Sequence, residues 1–354
     1  MSNVATKAKK PNLSVKSVLN WILDHAMIIV IVLLALYVQT QRDAFLRPAS
    51  LINIISLTAA RLPMALGVAG CIILAGTDLT GGRVAGLTAF VAAILLQRAD
   101  VANRVLAGGA PANIVLVILL VMRIGACVGL INGFVMAKFK VHPYIITLAM
   151  QMIVYGIYLT VSNSVQVGSF DSSYTTSFVT KPLFQIQTGG RPNGTAIFTV
   201  VPMYVLLALI VTALMWVVWN KTAFGKNMFA VGSNEEAARV SGVNVMMTII
   251  GVFMVAGALY GYTGFIEAAR MGSSTATLGL NYEADAISAA VIGGVSFVGG
   301  TGRISGVVLG VFMMQLIIAG MTFLGISGNV TYIVKGAVIL FAVILDMRKY
   351  MTRK

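Results

Sequence analysis

Residues 220–245 read NKTAFGKNMFAVGSNEEAARVSGVNV and form the one long polar interruption in the second half of an otherwise largely apolar chain. A charge costs about 2.5–3.5 kcal/mol at the centre of a bilayer, so the five charges here would cost roughly 12–18 kcal/mol together. The stretch therefore lies in water. Apolar runs flank it on both sides, so the sequence predicts a loop that joins two membrane helices.

The same loop carries the pattern of a short helix. Ser233 is followed three residues later by Glu236, which is the spacing of a capping box. Glu235 and Arg239 have the spacing and order of a favourable ion pair on a helix, and Gly242 can end it. A helix this short is marginal alone in water. Two hypotheses remain open: a simple connecting loop, or a docking element for a cytoplasmic partner.

The composition of the whole chain is that of a polytopic membrane protein. Of its 354 residues, 58% are hydrophobic and only 10% are charged, whereas soluble domains carry about 25% charged residues. A membrane-spanning helix needs about 20 apolar residues. We therefore predict an all-α membrane protein with about ten transmembrane helices in one domain, 20–346, between basic segments at 1–19 and 347–354.

The distribution of charge predicts an orientation. The net charge is +14, but the basic residues cluster beside the spans and at both ends of the chain, which argues against nucleic-acid binding and for orientation signals. Ten spans place both termini on one side, together with the basic residues of two short loops. The positive-inside rule makes that side the cytoplasm. The 220–245 loop is then cytoplasmic, and the polar loop 162–195 is external.

Glycines recur at intervals of four residues within the apolar runs, and this spacing predicts helices whose backbones approach closely. The glycines with this spacing are Gly125, Gly129 and Gly133, then Gly257 and Gly261, and finally Gly302, Gly306 and Gly310.

Two glycine-rich segments, which we call breaks, interrupt the apolar stretches that are predicted to form membrane helices. They read GTDLTGGRVAGLTAF at 76–90 and GGVSFVGGTGRISGVVLGVF at 293–312. Corresponding glycine-interrupted segments in two halves indicate a weak internal repeat and a central pathway, as in transporters. Two glycine-rich apolar segments can also resemble each other by chance, without a repeat. The residues expected to break or pack helices are Gly81, Gly82, Gly299, Gly300, Gly302 and Gly306.

Several kinds of chemistry are not supported by the sequence. Neither break contains the lysine of a nucleotide-binding P-loop, so we expect no ATP hydrolysis by this chain. Two cysteines and two histidines predict no metal cluster. We also expect no ionisable residue in the middle of the membrane, where an ion-coupled carrier usually has one. The acidic residues placed at span ends are Asp78, Glu267, Glu283 and Asp285.

Four segments together resemble the permease subunits of bacterial ABC sugar importers of the ribose/galactose/xylose type. They read VGSNEEAARVSGVNV, GTDLTGGR, HPYIITLAM and VIGGVSFVGGTGRISGVVLG, and the resemblance extends over about the whole chain. GTDLTGGR, which contains Arg83, and GSFDSSY at 168–174 are most similar to the galactose/methyl-galactoside type. The resemblance implies a multi-pass protein of the bacterial inner membrane that translocates a monosaccharide by alternating access.

The resemblance also implies partners. These are a second copy of the chain, a cytoplasmic ABC ATPase that holds ATP and Mg, an extracytoplasmic sugar-binding protein and membrane lipid, with no cofactor on this chain. The implied coupling element comprises Ser233, Asn234, Glu235, Glu236, Ala237, Ala238, Arg239, Val240 and Gly242. Its charged residues would make polar contacts with the ATPase, and its alanines and valine would pack against it.

A sugar has hydroxyl groups and no charge, so its path should offer hydrogen bonds. The path candidates are Asn53, Asp78, Arg83, Asn132, Gln151, Tyr155 and Gln315. Each of these residues can instead form a hydrogen bond that holds two helices together, without contacting the sugar. The rival hypotheses are an ion-coupled secondary sugar carrier that acts alone and a structural membrane scaffold.

Overall fold

The computed structural model describes residues 26–101, 104–106, 110–190 and 196–351. Its helices are α1 (Ala26–Gln41), α2 (Pro48–Ile73), α3 (Gly81–Leu95), α4 (Ile114–Phe139), α5 (Pro143–Ser162), α6 (Met203–Lys221), α7 (Ala223–Ser233), α8 (Glu235–Val240), α9 (Val245–Met271), α10 (Tyr282–Ile292), α11 (Ile304–Phe323) and α12 (Gly328–Met351). Its strands are β1 (Val167–Gly168), β2 (Pro182–Gly190), β3 (Ala196–Pro202) and β4 (Ser273–Ser274). The expected basic segment at 1–19 and the last residues of the tail lie outside the described residues.

The predicted all-α membrane class is confirmed. Ten of the helices correspond to the predicted spans, and α7 and α8 lie within the polar loop. Among the described residues, six helices are long and apolar enough to cross a membrane: α2, α4, α5, α6, α9 and α11. Helix α10 has 11 residues and is therefore about 17 Å long, roughly half the hydrocarbon thickness. It needs the non-helical segment before it to complete a crossing.

The centre of the bundle is the crossing of α4 and α9. A Cβ on Gly125 would overlap the backbone of Gly257, and a Cβ on Gly261 would overlap the carbonyl group of Val121. The two backbones are therefore in direct contact along this face. The predicted role of these four-residue glycine intervals in helix packing is confirmed.

The bundle has two distinct ends. At one end, which we call the Glu235 face, α7 and α8 lie beside the end of α2 and the turn between α10 and α11. At the other end, the Val167 face, β1 pairs with β4 and β2 pairs with β3, both antiparallel. The sequence predicts only a polar external loop at 162–195, so the hairpin of β2 and β3 is a finding of the structure.

Candidate functional site: a polar loop joined to broken helices

The polar loop contains two helices where the sequence predicted one. Asn234, not Ser233, is the N-cap of α8, because its side-chain oxygen accepts a hydrogen bond from Ala237 N at 2.9 Å. Ser233 is the last residue of α7, and its Oγ donates to Phe229 O at 2.8 Å. The predicted capping box from Ser233 to Glu236 is therefore wrong. A helix that ends at Ser233 uses that hydroxyl itself and leaves the next residue to begin α8.

The other predicted features of this short helix are confirmed. Arg239 Nη2 lies 2.5 Å from Glu235 Oε1. Gly242 has φ +84°, and its N–H donates to Arg239 O at 3.0 Å, while Val243 N donates to Ala238 O at 3.0 Å. These two bonds form a Schellman motif, which ends α8 sharply.

Helix α8 presents most of its surface to its surroundings. Val240 is 89% exposed, whereas Ala238 is buried against the rest of the loop. Glu235, Glu236 and Arg239 are also exposed. The helix is thus a projecting element with a charged pair and an apolar side chain at its C-terminal end.

The polar loop is joined to both glycine-rich breaks at one point. We call this point the junction and define it by Ile73 and Ala75 at the end of α2, Gly232 and Ser233 at the end of α7, and Gly299 and Gly300 between α10 and α11. Gly300 N donates to Ile73 O at 2.8 Å. A Cβ on Gly232 would overlap that same carbonyl group, and a Cβ on Gly300 would overlap Ser233. Three backbones are therefore in contact without intervening side chains.

The turn that carries Gly299 and Gly300 is held from a second side. Asp346 of α12 accepts hydrogen bonds from Ser296 Oγ at 3.0 Å and from Phe297 N at 3.2 Å. Gly302 packs against the side chain of Ile73, and Gly306 packs against Gly293 across the α10–α11 turn. The turn is consequently tied to α2, α7, α11 and α12.

The other predicted break residues lie where two short helices begin. A Cβ on Gly82, in the first turn of α3, would overlap Glu283 Oε2 and Gly279 O, and a Cβ on Gly86 would lie 2.6 Å from Leu278 O. Gly81 packs against the ring of Tyr260. The starts of α3 and α10 therefore meet inside the bundle. The first break is a non-helical segment at 76–80 that leads into α3, whereas 293–303 is a turn between two helices, so the two breaks differ in form.

Two path candidates come together at the first break. Asp78 is fully buried, and its Oδ1 accepts hydrogen bonds from Thr80 N at 2.9 Å and Thr80 Oγ1 at 2.6 Å. Asn132, also fully buried, donates from Nδ2 to Thr80 Oγ1 at 3.4 Å. This network holds the non-helical segment before α3 against α4.

The remaining path candidates are in separate places. The guanidinium of Arg83 lies 3.9 Å from the centre of the Tyr155 ring, which joins α3 to α5. Gln315 lines a cleft between α2, α10 and α11. Asn53 is exposed on α2, and Gln151 is half-buried on α5. The structure thus groups some candidates in pairs and does not bring all of them to one site.

The expectation of no ionisable residue inside the membrane is wrong. Arg61 lies in the middle of α2, and its Nε is 2.8 Å from Oε1 of the fully buried Glu267, which also pairs with Arg270 at 2.8 Å. Lys335 pairs with Asp285 at 2.8 Å. A charge inside an apolar span was the signal available in the sequence, and such residues are expensive unless paired.

The GSFDSSY motif forms a fold element on the Val167 face. Asp171 Oδ1 accepts a hydrogen bond from Ser173 N at 2.8 Å, and the hydrogen bonds from the Ser173 side chain and backbone lower the pKa of Asp171. The buried Tyr174 hydroxyl donates to Phe265 O. The motif therefore fastens the loop to α9.

A bundle of membrane-length helices, with short helices that begin inside it and a projecting polar loop at one end, defines a multi-pass membrane transport protein. The family model described as "Branched-chain amino acid transport system / permease component" matches residues 50–343, and the chain belongs to this family.

Comparison with curated proteins identifies sugar import permeases as relatives. The chain is 42% identical over 345 residues to the galactose/methyl galactoside import permease protein MglC of Salmonella typhimurium, which covers 97% of this chain and 99% of the relative. It is 43% identical to MglC of Escherichia coli (strain K12), with the same coverage. It is 32% identical over 329 residues to the ribose import permease protein RbsC of Escherichia coli (strain K12), which covers 93% and 95%. No solved structure matches the chain.

Proposed function

We propose that this chain is the membrane subunit of an ATP-driven importer of a monosaccharide, with galactose, a methyl galactoside or glucose as the cargo. The observation that carries the proposal is the junction: the projecting helix α8 follows directly on α7, and the end of α7 is in backbone contact with the end of α2 and with the α10–α11 turn. The names of the sugar import permeases that resemble the chain support the class of cargo.

The proposed partners follow from the projecting helix and the likeness to these permeases. A cytoplasmic ABC ATPase with its ATP and Mg receives α8, an extracytoplasmic sugar-binding protein delivers the cargo at the Val167 face, and a second copy of the chain completes the transporter in the lipid bilayer. In this proposal the chain itself hydrolyses no ATP. Glu235, Glu236 and Arg239 contact the ATPase through their charges, and Val240 contacts it through its apolar surface.

The orientation is part of the proposal. Lys138 lies in the last turn of α4, Lys140 follows it, and Lys221 ends α6, so basic residues surround the Glu235 face. The positive-inside rule assigns this face to the cytoplasm of a bacterial inner membrane, with both termini on the same side.

The mechanism begins when ATP closes the two halves of the partner and moves α8. Because α8 follows directly on α7, and the end of α7 contacts the end of α2 and the α10–α11 turn at the junction, this movement is passed to three helices of the bundle. The pathway then changes the side to which it is open. Such a switch requires contacts that differ between the two conformations of the transporter. In this proposal those contacts are at the junction rather than at a nucleotide-binding site.

Reconstitution into proteoliposomes tests the proposal. The purified chain, the ATPase and the binding protein are combined with labelled galactose, and uptake is measured with and without ATP. We expect uptake only when all three proteins and ATP are present. Uptake by this chain alone under an ion gradient would refute the proposal and would favour an ion-coupled carrier.

A further inference from the structure

A cleft with a mostly apolar lining lies between α2, α10 and α11. Its volume is about 250 Å³ when its mouth is included, and the residues that give it polar character are Arg61, Tyr282, Asp285 and Gln315. The inner part has room for about one water molecule. The cleft is therefore nearly closed in this conformation.

Gln315 is the residue of the cleft that most needs a partner. It is only 6% exposed; among the described residues its side-chain amide has no hydrogen-bond partner, and its nitrogen and oxygen keep access to the open space of the cleft. Buried amides are almost always hydrogen-bonded, because an unpaired one loses its bonds to water without replacement. An amide that lines a cleft and has no protein partner indicates a ligand or a water molecule that supplies both a donor and an acceptor.

The charges around the cleft are already compensated. Arg61 is paired with Glu267 at 2.8 Å, and Asp285 is paired with Lys335 at 2.8 Å. The guanidinium of Arg61 also lies 3.3 Å from the centre of the Tyr282 ring. The cleft thus combines an apolar lining with a few fixed hydrogen-bonding groups and an aromatic ring, and none of the described residues that line it carries an unpaired charge. This combination suits a neutral molecule rich in hydroxyl groups better than an ion.

We propose that this cleft is a subsite of the transport pathway for a neutral, polyhydroxylated solute, held in its closed form here. The inference rests on the proposed function. Its walls are the three helices that reach the junction, since α2 ends at Ile73 and α10 and α11 are joined by the turn that carries Gly300. A movement of α7 and α8 is thereby passed to the walls of the cleft, which separate to admit the solute.

Uptake by substituted transporters tests the role of the amide. Gln315→Leu removes both hydrogen-bonding groups with little change in size, and Gln315→Asn keeps them on a shorter side chain. Thr212→Val is the control, because Thr212 lies in the middle of α6, away from the cleft, and its hydroxyl donates to Ala208 O of its own helix. In the reconstituted complex we expect Gln315→Leu to lower the maximal rate of galactose uptake about tenfold, the value of one hydrogen bond. We expect Gln315→Asn to recover part of that rate and the control to equal the wild type.

Chemical labelling gives an independent readout. Gln315→Cys is made together with Cys127→Ser, which removes the exposed native thiol and leaves the fully buried Cys71. We expect a small thiol reagent to modify position 315 in one nucleotide state of the complex, and galactose to slow this reaction at least fivefold. Wild-type uptake by Gln315→Leu, or labelling that galactose does not change, would show a cleft that holds structural water only. Failure of the wild-type complex to transport galactose with ATP would instead overturn the proposed function.

Discussion

Replacement of Gly232 by alanine tests the junction with a change of one methyl group. In an ordinary helix this substitution is favourable by about 0.5–1 kcal/mol, because alanine has the higher helix propensity. At Gly232 the new Cβ would lie 2.8 Å from the carbonyl carbon of Ile73 and 3.0 Å from Gly300 N, whereas ordinary contacts begin at 3.4 Å. The nearest atom, Ile73 O, overlaps the new Cβ outright, so the ends of α2 and α7 must separate by more than about 1 Å.

The expected magnitude follows from two costs. Overpacking of this kind costs about 1–3 kcal/mol, and loss of the hydrogen bond from Gly300 N to Ile73 O adds about 0.5–1.5 kcal/mol. These costs exceed the gain in helix propensity. We therefore expect Gly232→Ala to be less stable by about 1–3 kcal/mol, to bind the ATPase normally and to lose at least nine-tenths of ATP-dependent uptake.

The assay measures thermal unfolding in detergent, binding to the ATPase and uptake in proteoliposomes on the same preparations. Gly156→Ala is the matched control, because that helical glycine in α5 has nothing within 4 Å of an added Cβ. The control should be as stable as the wild type or slightly more stable. Normal uptake by Gly232→Ala with an increase in stability would refute the argument that the junction is tightly packed.

Three further substitutions test separate parts of the structure. Glu235→Lys should abolish ATPase binding and uptake while insertion and stability stay normal, because an exposed ion pair contributes only about 0–1 kcal/mol; normal binding would exclude the docking role. Glu267→Gln should lower stability in detergent by about 3–5 kcal/mol, because it removes the buried carboxylate between two arginines; an unchanged melting temperature would contradict this. Gly125→Leu should prevent accumulation of folded protein, as gel filtration would show, whereas Gly156→Leu should not.

The features that the sequence predicted correctly depend on short-range spacing. The apolar runs predict the helices because about 20 residues are needed to cross the bilayer. The intervals of Gly125 and Gly257 predict close helix contacts, and the positions of Glu235, Arg239 and Gly242 predict the ion pair and the end of α8. Each of these follows from residues within a few turns of one another.

The features that the sequence did not predict depend on residues that are far apart. Arg61 and Glu267 meet only because α2 and α9 are neighbours, so neither residue alone predicts a buried ion pair. The N-cap is at Asn234 rather than Ser233 because α7 continues up to the start of α8. The junction itself requires three segments to meet, and no local pattern contains that information.

Photo-cross-linking from α8 tests the central claim most directly. Val240 is 89% exposed, and its replacement by a photoreactive amino acid places a probe at the end of the proposed docking helix. We predict a covalent adduct with the ATPase subunit in the assembled transporter, in an amount that changes when ATP is added. A transporter that takes up galactose while position 240 forms no adduct with the ATPase, or reacts with an impermeant reagent from outside the cell, would contradict the account.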